Sequence, residues 1–534
     1  MEFRIFQRIM FHFFKKHHIL TIILALASVE LFSFFGYLHP LAGAVLFWLI
    51  IAAVLAVSFW RLEYGLLIAL IELFIGSKGY LFSFDIGEIT ISIRIALFLV
   101  IMAVWLAKKI FSKKVSGFRF PRPRQGEAEG GQVSGFSFWF LFLFVALAIG
   151  LIQAIILRND YGNIFFDFNA FLFFAYLFPL AEIFRQPHFG VGVNWQRLGK
   201  AAIASVSWVA IKTFIIFYVF AHGMWPYTPM VYKWIRDTGV GEITKMDQGF
   251  YRIFFQGQIY ELFALIILLG IIGYLINKGF GIRDKGLTNK RYWLLGAGLA
   301  AVVILSFSRS FWVGGVAGFL ALIFLLIFVL NVKWRQAGIF TVYLAAVFLA
   351  GFILIFALMN IPPRKGKPAS LSSLVSERAT TQEAAGQSRM ELLKPLWTGI
   401  LKHPIIGSGF GATITYNSKD PRILQNYPSG EYTTFSFEWG YLDLWYKMGI
   451  FGPLAYIGLI GSVLLALRRV IKEKSEMVLA GISVQAISLG VFAALIALAA
   501  VHFFTPYLNH PLGIGFVILS SIFAVFVQKR EKQI

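Results

Sequence analysis

Three stretches of the chain carry side chains whose types and spacing suit chemistry on an anionic, hydroxyl-bearing substrate. The first, Ser306 to Trp312, joins two apolar runs and sets Arg309 at the turn between them. An arginine at the mouth of two helices is costly unless an anion or carbonyls meet it, and its planar fork of donors suits a phosphate. The competing reading is an interfacial arginine that snorkels to lipid phosphate. In the second stretch, Gly386 to Gly411, Met390, Leu393, Trp397, Ile400 and Leu401 recur at helical spacing. Ser388 followed by Glu391 fits a capping box, so the spacing predicts Ser388 as N-cap and Arg389 as the first helical residue. There the helix dipole and free N–H groups would add to the attraction of Arg389 for an anion. A plain interfacial amphipathic helix fits the same periodicity. Pro395 is expected to kink the helix, and His403-Pro404 with Gly407, Gly409 and Gly411 to end it in a tight loop. In the third stretch, Phe437 to Gly452, Glu438 precedes a predicted helix and is placed to face a hydroxyl, while Asp443 is expected to pair with Lys447 one turn on.

The elements that must position these residues are membrane spans. Of 534 residues, 58% are hydrophobic and 14% charged, and the mean hydropathy is +0.75. A water-soluble domain could not hide so much apolar surface. The net charge of +22 comes from basic residues that punctuate apolar runs instead of forming one face, so nucleic acid is not an expected partner. Zero cysteines exclude disulfides, thiolate metal sites and a cysteine nucleophile. The first apolar run leads straight into others, so no cleaved leader is expected.

Runs of near 20 apolar residues give an all-α polytopic membrane protein with about 14 (12 to 14) transmembrane helices and a large, partly helical extracytoplasmic loop. The runs at 62–76, 93–107 and 293–307 are short. With the N-terminus inside, every strongly basic short connection falls on one side, so both termini are expected in the cytoplasm. This divides the chain into an N-terminal bundle at 1–292 with a basic inner linker at 108–135, a core at 293–467 that includes the outer loop 360–440, and C-terminal helices at 468–534. A second outer loop, 222–252, carries Trp225, Tyr227, Tyr232, Trp234 and Tyr251, residues of an interfacial belt or of sugar stacking. Within the spans the ionisable residues Glu30, Glu72, Asp167, Lys212 and Glu261 are too few for an ion-coupled transporter; the deepest, Glu30, is expected to be protonated or hydrogen-bonded between helices. The outer acids Asp237, Glu242, Asp247, Glu377, Glu383 and Glu391 are scattered, so neither a metal nor a cofactor is expected.

The order and spacing of the three stretches resemble the O-antigen ligase and polymerase superfamily of polytopic membrane glycosyltransferases. The likeness runs through the Ser-Arg turn, the loop arginine, the Trp-containing helix, His403-Pro404, Gly407 to Gly411, Tyr441-Leu442 and Gly449-Ile450-Phe451-Gly452, over about residues 293–467. It implies a metal-independent, inverting transfer of glycan from a polyprenyl (undecaprenyl) diphosphate carrier to an acceptor hydroxyl at the outer face of a bacterial inner membrane. On that pattern Arg309 and Arg389, with Arg378 as a weaker candidate, contact the diphosphate, and Glu438 takes the acceptor's proton. The partners implied are the lipid-linked oligosaccharide donor, a glycan or glycolipid acceptor and membrane lipid, with room for a chain-length regulator or a flippase. Ligases carry a histidine at the position of Glu438 and an asparagine where this chain has Trp439, which favours a polymerase over an O-antigen ligase or a protein O-oligosaccharyltransferase. A lipid-linked oligosaccharide flippase would lack a folded outer loop of this length and would line its cavity with charges from many helices.

The topology is testable because the native chain has no cysteine. Cysteines introduced near residues 235 and 375 should react with an impermeant thiol reagent on intact cells, and those near 120 and 285 only after the membrane is opened. Protection of position 375 in intact cells would overturn the orientation.

Overall fold

Backbone in hydrocarbon must satisfy its own polar groups, so long apolar runs become helices. The computed structural model describes residues 19–87, 89–111, 131–185, 191–224, 228–246, 250–279, 290–362, 384–473, 477–479 and 481–531. In chain order the helices are α1 (Ile19–Leu38), α2 (Pro40–Trp60), α3 (Leu62–Ile75), α4 (Ile93–Phe111), α5 (Gly131–Ile156) and α6 (Tyr161–Phe168). A 3-10 stretch, Asn169–Tyr176, joins α6 to α7 (Leu177–Arg185), and α8 (Val191–Ala221), α9 (Thr228–Asp237), α10 (Ile259–Asn277) and α11 (Lys290–Leu305) follow. The set closes with α12 (Arg309–Phe324), α13 (Trp334–Asn360), α14 (Ala384–Lys402), α15 (Gly440–Met448), α16 (Phe451–Lys472), α17 (Val484–Phe504) and α18 (Pro511–Glu531). Four antiparallel hairpins sit in the connections: β1 (Ser83–Ile86) with β2 (Ile89–Ser92), β3 (Gly241–Lys245) with β4 (Tyr251–Phe255), β5 (Ile414–Asn417) with β6 (Glu431–Thr434), and β7 (Val478–Leu479) with β8 (Ile482–Ser483).

Among the described residues, eleven helical stretches are long and apolar enough to cross a membrane. The three short runs are helical too: α3 has 14 residues and α11 has 16, while α4 opens near Arg94 and closes on Lys108 and Lys109. The run expected at 441–467 is divided, because Gly449 takes a left-handed φ of 64° and breaks α15 from α16. Leu24, Leu31 and Phe32 on α1, Trp48 and Leu49 on α2, and Leu349 and Ile353 on α13 are exposed, the pattern of a lipid-facing surface.

The centre of the bundle is α17, packed between α10 and α12. Small residues let the backbones approach: a Cβ on Gly270 would come within 2.7 Å of the Gly490 backbone, and one on Gly314 within 2.9 Å of the Ala497 carbonyl. Trp234 is buried against Phe34 and donates to the Ser33 hydroxyl (3.1 Å), so this aromatic of the 222–252 loop is committed to packing. Trp225, Tyr227 and Asp247 lie outside the described residues.

Among the described residues, most charges within the helices are paired. Lys212 on α8 meets Glu30 on α1 at 2.6 Å, the interhelical hydrogen bond expected of Glu30. Arg94 grips Glu72 through two nitrogens (2.9 and 3.0 Å) and donates to the Ser77 carbonyl at 2.6 Å. Lys447 pairs with Asp443 (2.6 Å), as its spacing predicts, and also with Asp167 of α6. Glu261 keeps one carboxyl oxygen without a hydrogen-bond partner among the described residues. Lys447, Asp443 and Asp167 are all shielded from solvent, so removing the cation alone strands two carboxylates. Lys447→Met is therefore expected to destabilise the protein by about 3–5 kcal/mol, read as a lowered melting temperature in detergent. Adding Asp167→Asn and Asp443→Asn should recover most of the loss, and an unchanged melt for Lys447→Met would refute the account.

Candidate functional site

The Ser-Arg turn lies between the end of α11 at Leu305 and the start of α12 at Arg309. Phe307 is held in the left-handed region (φ 43°), a strained conformation for a bulky side chain, with its ring buried against Phe250 at 5.2 Å. Ser308 takes the N-cap of α12 with extended backbone and no side-chain cap, its hydroxyl lying 3.0 Å from that of Ser310. Thr505, just past α17, donates to Ser310 at 3.0 Å. Arg309 is thus the first residue of α12, at the positive end of its dipole.

The second arginine rides on α14. That helix begins at or before Ala384, not at Ser388, so Ser388 is interior and its hydroxyl lies 2.8 Å from Tyr416 Oη instead of capping the helix. Ala384 and Ala385 are strong helix formers and carry the helix upstream. Arg389 therefore gains nothing from a helix start. It is positioned by what it touches: its guanidinium forms an ion pair with Glu438, and its carbonyl accepts the Trp439 indole N–H at 2.9 Å. Leu392, Leu396 and Ile400, within about 60° of Arg389 around the helix, bury that side of α14 against Ala412, Tyr416, Phe437 and Tyr446, a small core separate from that of the bundle.

Glu438 precedes α15, as expected, and its side chain is about half exposed (50%). Trp439 anchors it from the other side by packing on Phe503 and Phe504 at the end of α17. Beneath the pair, Asp443 accepts from Asn509 and from Lys447. Burial pushes the Asp443 carboxyl above the usual carboxylate range, with Lys447 opposing the rise and Asp167 adding to it.

A third arginine was not singled out from the sequence. Arg252 on β4 donates to the Ser306 carbonyl at 2.8 Å and faces Glu242 across the hairpin at 3.5 Å. Burial lowers its pKa first, Glu242 opposes this, and the positive charges of Arg309 and Arg389 lower it further, so the three guanidiniums share one electrostatic neighbourhood. Among the described residues, Glu242 pairs with Arg252 and Glu438 with Arg389. Arginines whose charges oppose one another are stabilised by an incoming anion. The sequence signal for Arg252 was faint: one cation in YRIFF at the head of a span. Arg378 lies outside the described residues, as do Glu377 and Glu383.

The His-Pro and glycine elements act as a clamp. Gly407, Gly409 and Gly411 all have φ between 73° and 79°, and a Cβ on Gly411 would meet the Ile164 backbone at 2.6 Å. Ser408 N–H donates to the Tyr446 carbonyl (2.7 Å), Gly411 N–H to Asp167 (2.9 Å), and Pro404 accepts from Ile450 N–H (3.0 Å) and the Trp445 indole (2.8 Å). The loop therefore locks α15 against α5 and α6.

Neither the curated proteins nor the solved structures gave a match to this chain. A family model described as O-antigen ligase matches residues 294–457, the stretch that holds Arg309, Arg389, His403, Pro404 and Glu438. The turn, the Arg389–Glu438 pair and the His-Pro and glycine elements thus fall inside the matched stretch, and over residues 294–457 the chain is similar to the O-antigen ligase family, which supports the O-antigen ligase and polymerase superfamily.

Proposed function

We propose that this protein is a glycan polymerase of the bacterial inner membrane, transferring an oligosaccharide from a polyprenyl (undecaprenyl) diphosphate to a sugar hydroxyl at the outer face. The observation that carries the reading is the pairing of Arg389 with Glu438 in the electrostatic neighbourhood of Arg252 and Arg309. One group suited to an anionic leaving group and one suited to a proton are side by side.

The reaction is a single displacement. The acceptor oxygen attacks the anomeric carbon, the bond from that carbon to the diphosphate oxygen breaks, and the electron pair leaves with the diphosphate. Arg309, Arg389 and Arg252 stabilise the charge that grows there. The acceptor's proton passes to a Glu438 carboxylate oxygen. Attack opposite the leaving group inverts the anomeric centre. Arg389 has two claims on it, since it holds Glu438 while the donor site is empty and grips phosphate when the donor arrives. Donor binding then loosens the pair and leaves the carboxylate free to accept a proton. A polymerase is favoured over a ligase because Glu438 stands where ligases carry a histidine.

Purified protein incubated with a polyprenyl diphosphate oligosaccharide should release carrier and lengthen the glycan; carrier release without lengthening would sink the polymerase reading. Arg309→Lys and Arg389→Lys should each lower transfer by at least about tenfold, because a point charge cannot reproduce the bidentate fork, and Arg252→Lys should follow them in the same direction. Glu438→Gln should still bind the carrier while transfer falls by about 10²–10⁴-fold. Near-normal turnover of the Gln variant at saturating donor would remove Glu438 from the mechanism.

A further inference from the structure

A cavity of about 640 Å³ opens beside α14 and shares no residue with the arginine site. Its volume lies within the range of about 300–1,000 Å³ usual for ligand sites. Lys394 and Lys402 line it together with Thr398 between them, at four-residue steps along one stripe of the helix, and His403 follows. The facing wall mixes polar and apolar groups: Thr413, Thr415 and Ser408 from the loop and β5 and Asn159 from the α5–α6 connection, with Leu157, Ala412 and Ile414 among them. No carboxylate lines the cavity, and among the described residues neither lysine has an ion-pair partner. At about 100° per residue, Arg389 lies about 140–180° around α14 from this stripe, and at 1.5 Å per residue Lys394 and Lys402 lie about 8 and 20 Å along the helix from it.

These walls are not built by chance packing. Asn159 is held by two hydrogen bonds, to the Ser408 carbonyl (3.0 Å) and the Phe410 carbonyl (2.9 Å), and Tyr446 by one to the Thr413 carbonyl (3.1 Å). Gly399 keeps the helix open at this level, since a Cβ there would meet the Tyr446 ring at 2.8 Å. A ligand that satisfies two ammonium groups, an imidazole and a row of hydroxyls is polyhydroxylated and anionic. Lipid phosphate shares the anion, and Leu157, Pro395 and Ile414 also line the cavity, so it is the row of hydroxyls and the Asn159 amide that favour a sugar over an acyl chain.

We infer that this cavity binds an acidic oligosaccharide, the carboxylate-bearing stretch of the acceptor or growing glycan, at a subsite on the face of α14 turned away from Arg389. The assignment of that ligand to the acceptor rests on the polymerase reading above. Binding itself does not, and the test keeps the two apart.

Full-length protein in neutral detergent is titrated with a fluorescent hexagalacturonate and, in parallel, with maltohexaose of the same length. The acidic probe should bind about tenfold tighter or better, and Lys394→Gln with Lys402→Gln should erase that preference while the elution volume and melting temperature stay those of the parent. Equal affinity for the two probes, or a preference that survives the double substitution, overturns the inference. A repeat in nanodiscs compares neutral lipid with phosphatidylglycerol. Unchanged preference in both supports the glycan site, whereas loss of probe binding only in phosphatidylglycerol assigns the lysines to lipid phosphate and overturns it. Arg309→Lys should bind the acidic probe like the parent. If the parent binds the probe but never lengthens a glycan, the polymerase reading fails and the anionic glycan site stands.

Discussion

An ammonium taken out of water without a counter-charge costs several kcal/mol, and Lys447 is buried. The chain answers from two directions: Asp443 lies one turn earlier on α15, and Asp167 reaches in from α6. Asp167 also accepts the Gly411 N–H, the Lys447 carbonyl accepts the Gly409 N–H, and Asn509 holds Asp443 from beyond α17. One cation thus ties together α6, the glycine loop, α15 and the α17–α18 connection. Glu438 sits two residues before α15, and Trp439 bonds the backbone of Arg389. The pose of the Arg389–Glu438 pair is inherited from this anchor, and Glu438 can stay half exposed because its support is not.

What the sequence disclosed follows from what each signal depends on. Apolar length is a local property, so the expected runs fall largely on helices, eleven of which are long and apolar enough to span among the described residues, while those at 253–276 and 478–501 begin in hairpin strands. The break at Gly449 was hidden in continuous hydropathy, because a left-handed glycine changes direction without changing polarity. Pairing of Asp443 with Lys447 was legible because four residues make a helical turn. The partnership of either residue with Asp167 was not, since 280 residues separate Asp167 from Lys447. Ser388 misled for a related reason: a capping box is read from four residues, but where a helix starts depends on the residues before it. The motif order pointed to Arg309, Arg389 and Glu438. It could not point to Arg252, whose place beside them is made by a hairpin that lies outside the matched unit.

The helix that carries Arg389 also divides two environments. On one side its guanidinium meets Glu438 beside the other two arginines; on the stripe opposite, Lys394 and Lys402 look into a cavity lined in part by hydroxyls and an amide. On the side of Arg389, Leu392, Leu396 and Ile400 bind α14 to the β5–β6 hairpin and to Phe437, the residue before Glu438. A glycan drawn along the lysine stripe would press on the same small core that sets Glu438 against Arg389. Close packing resists such displacement, because a core at this density has few voids to absorb it. On the proposed reading, the Arg389–Glu438 pair and the cavity with its lysine stripe are held by one packed unit, α14 with its hairpin, and not by two loops moving independently.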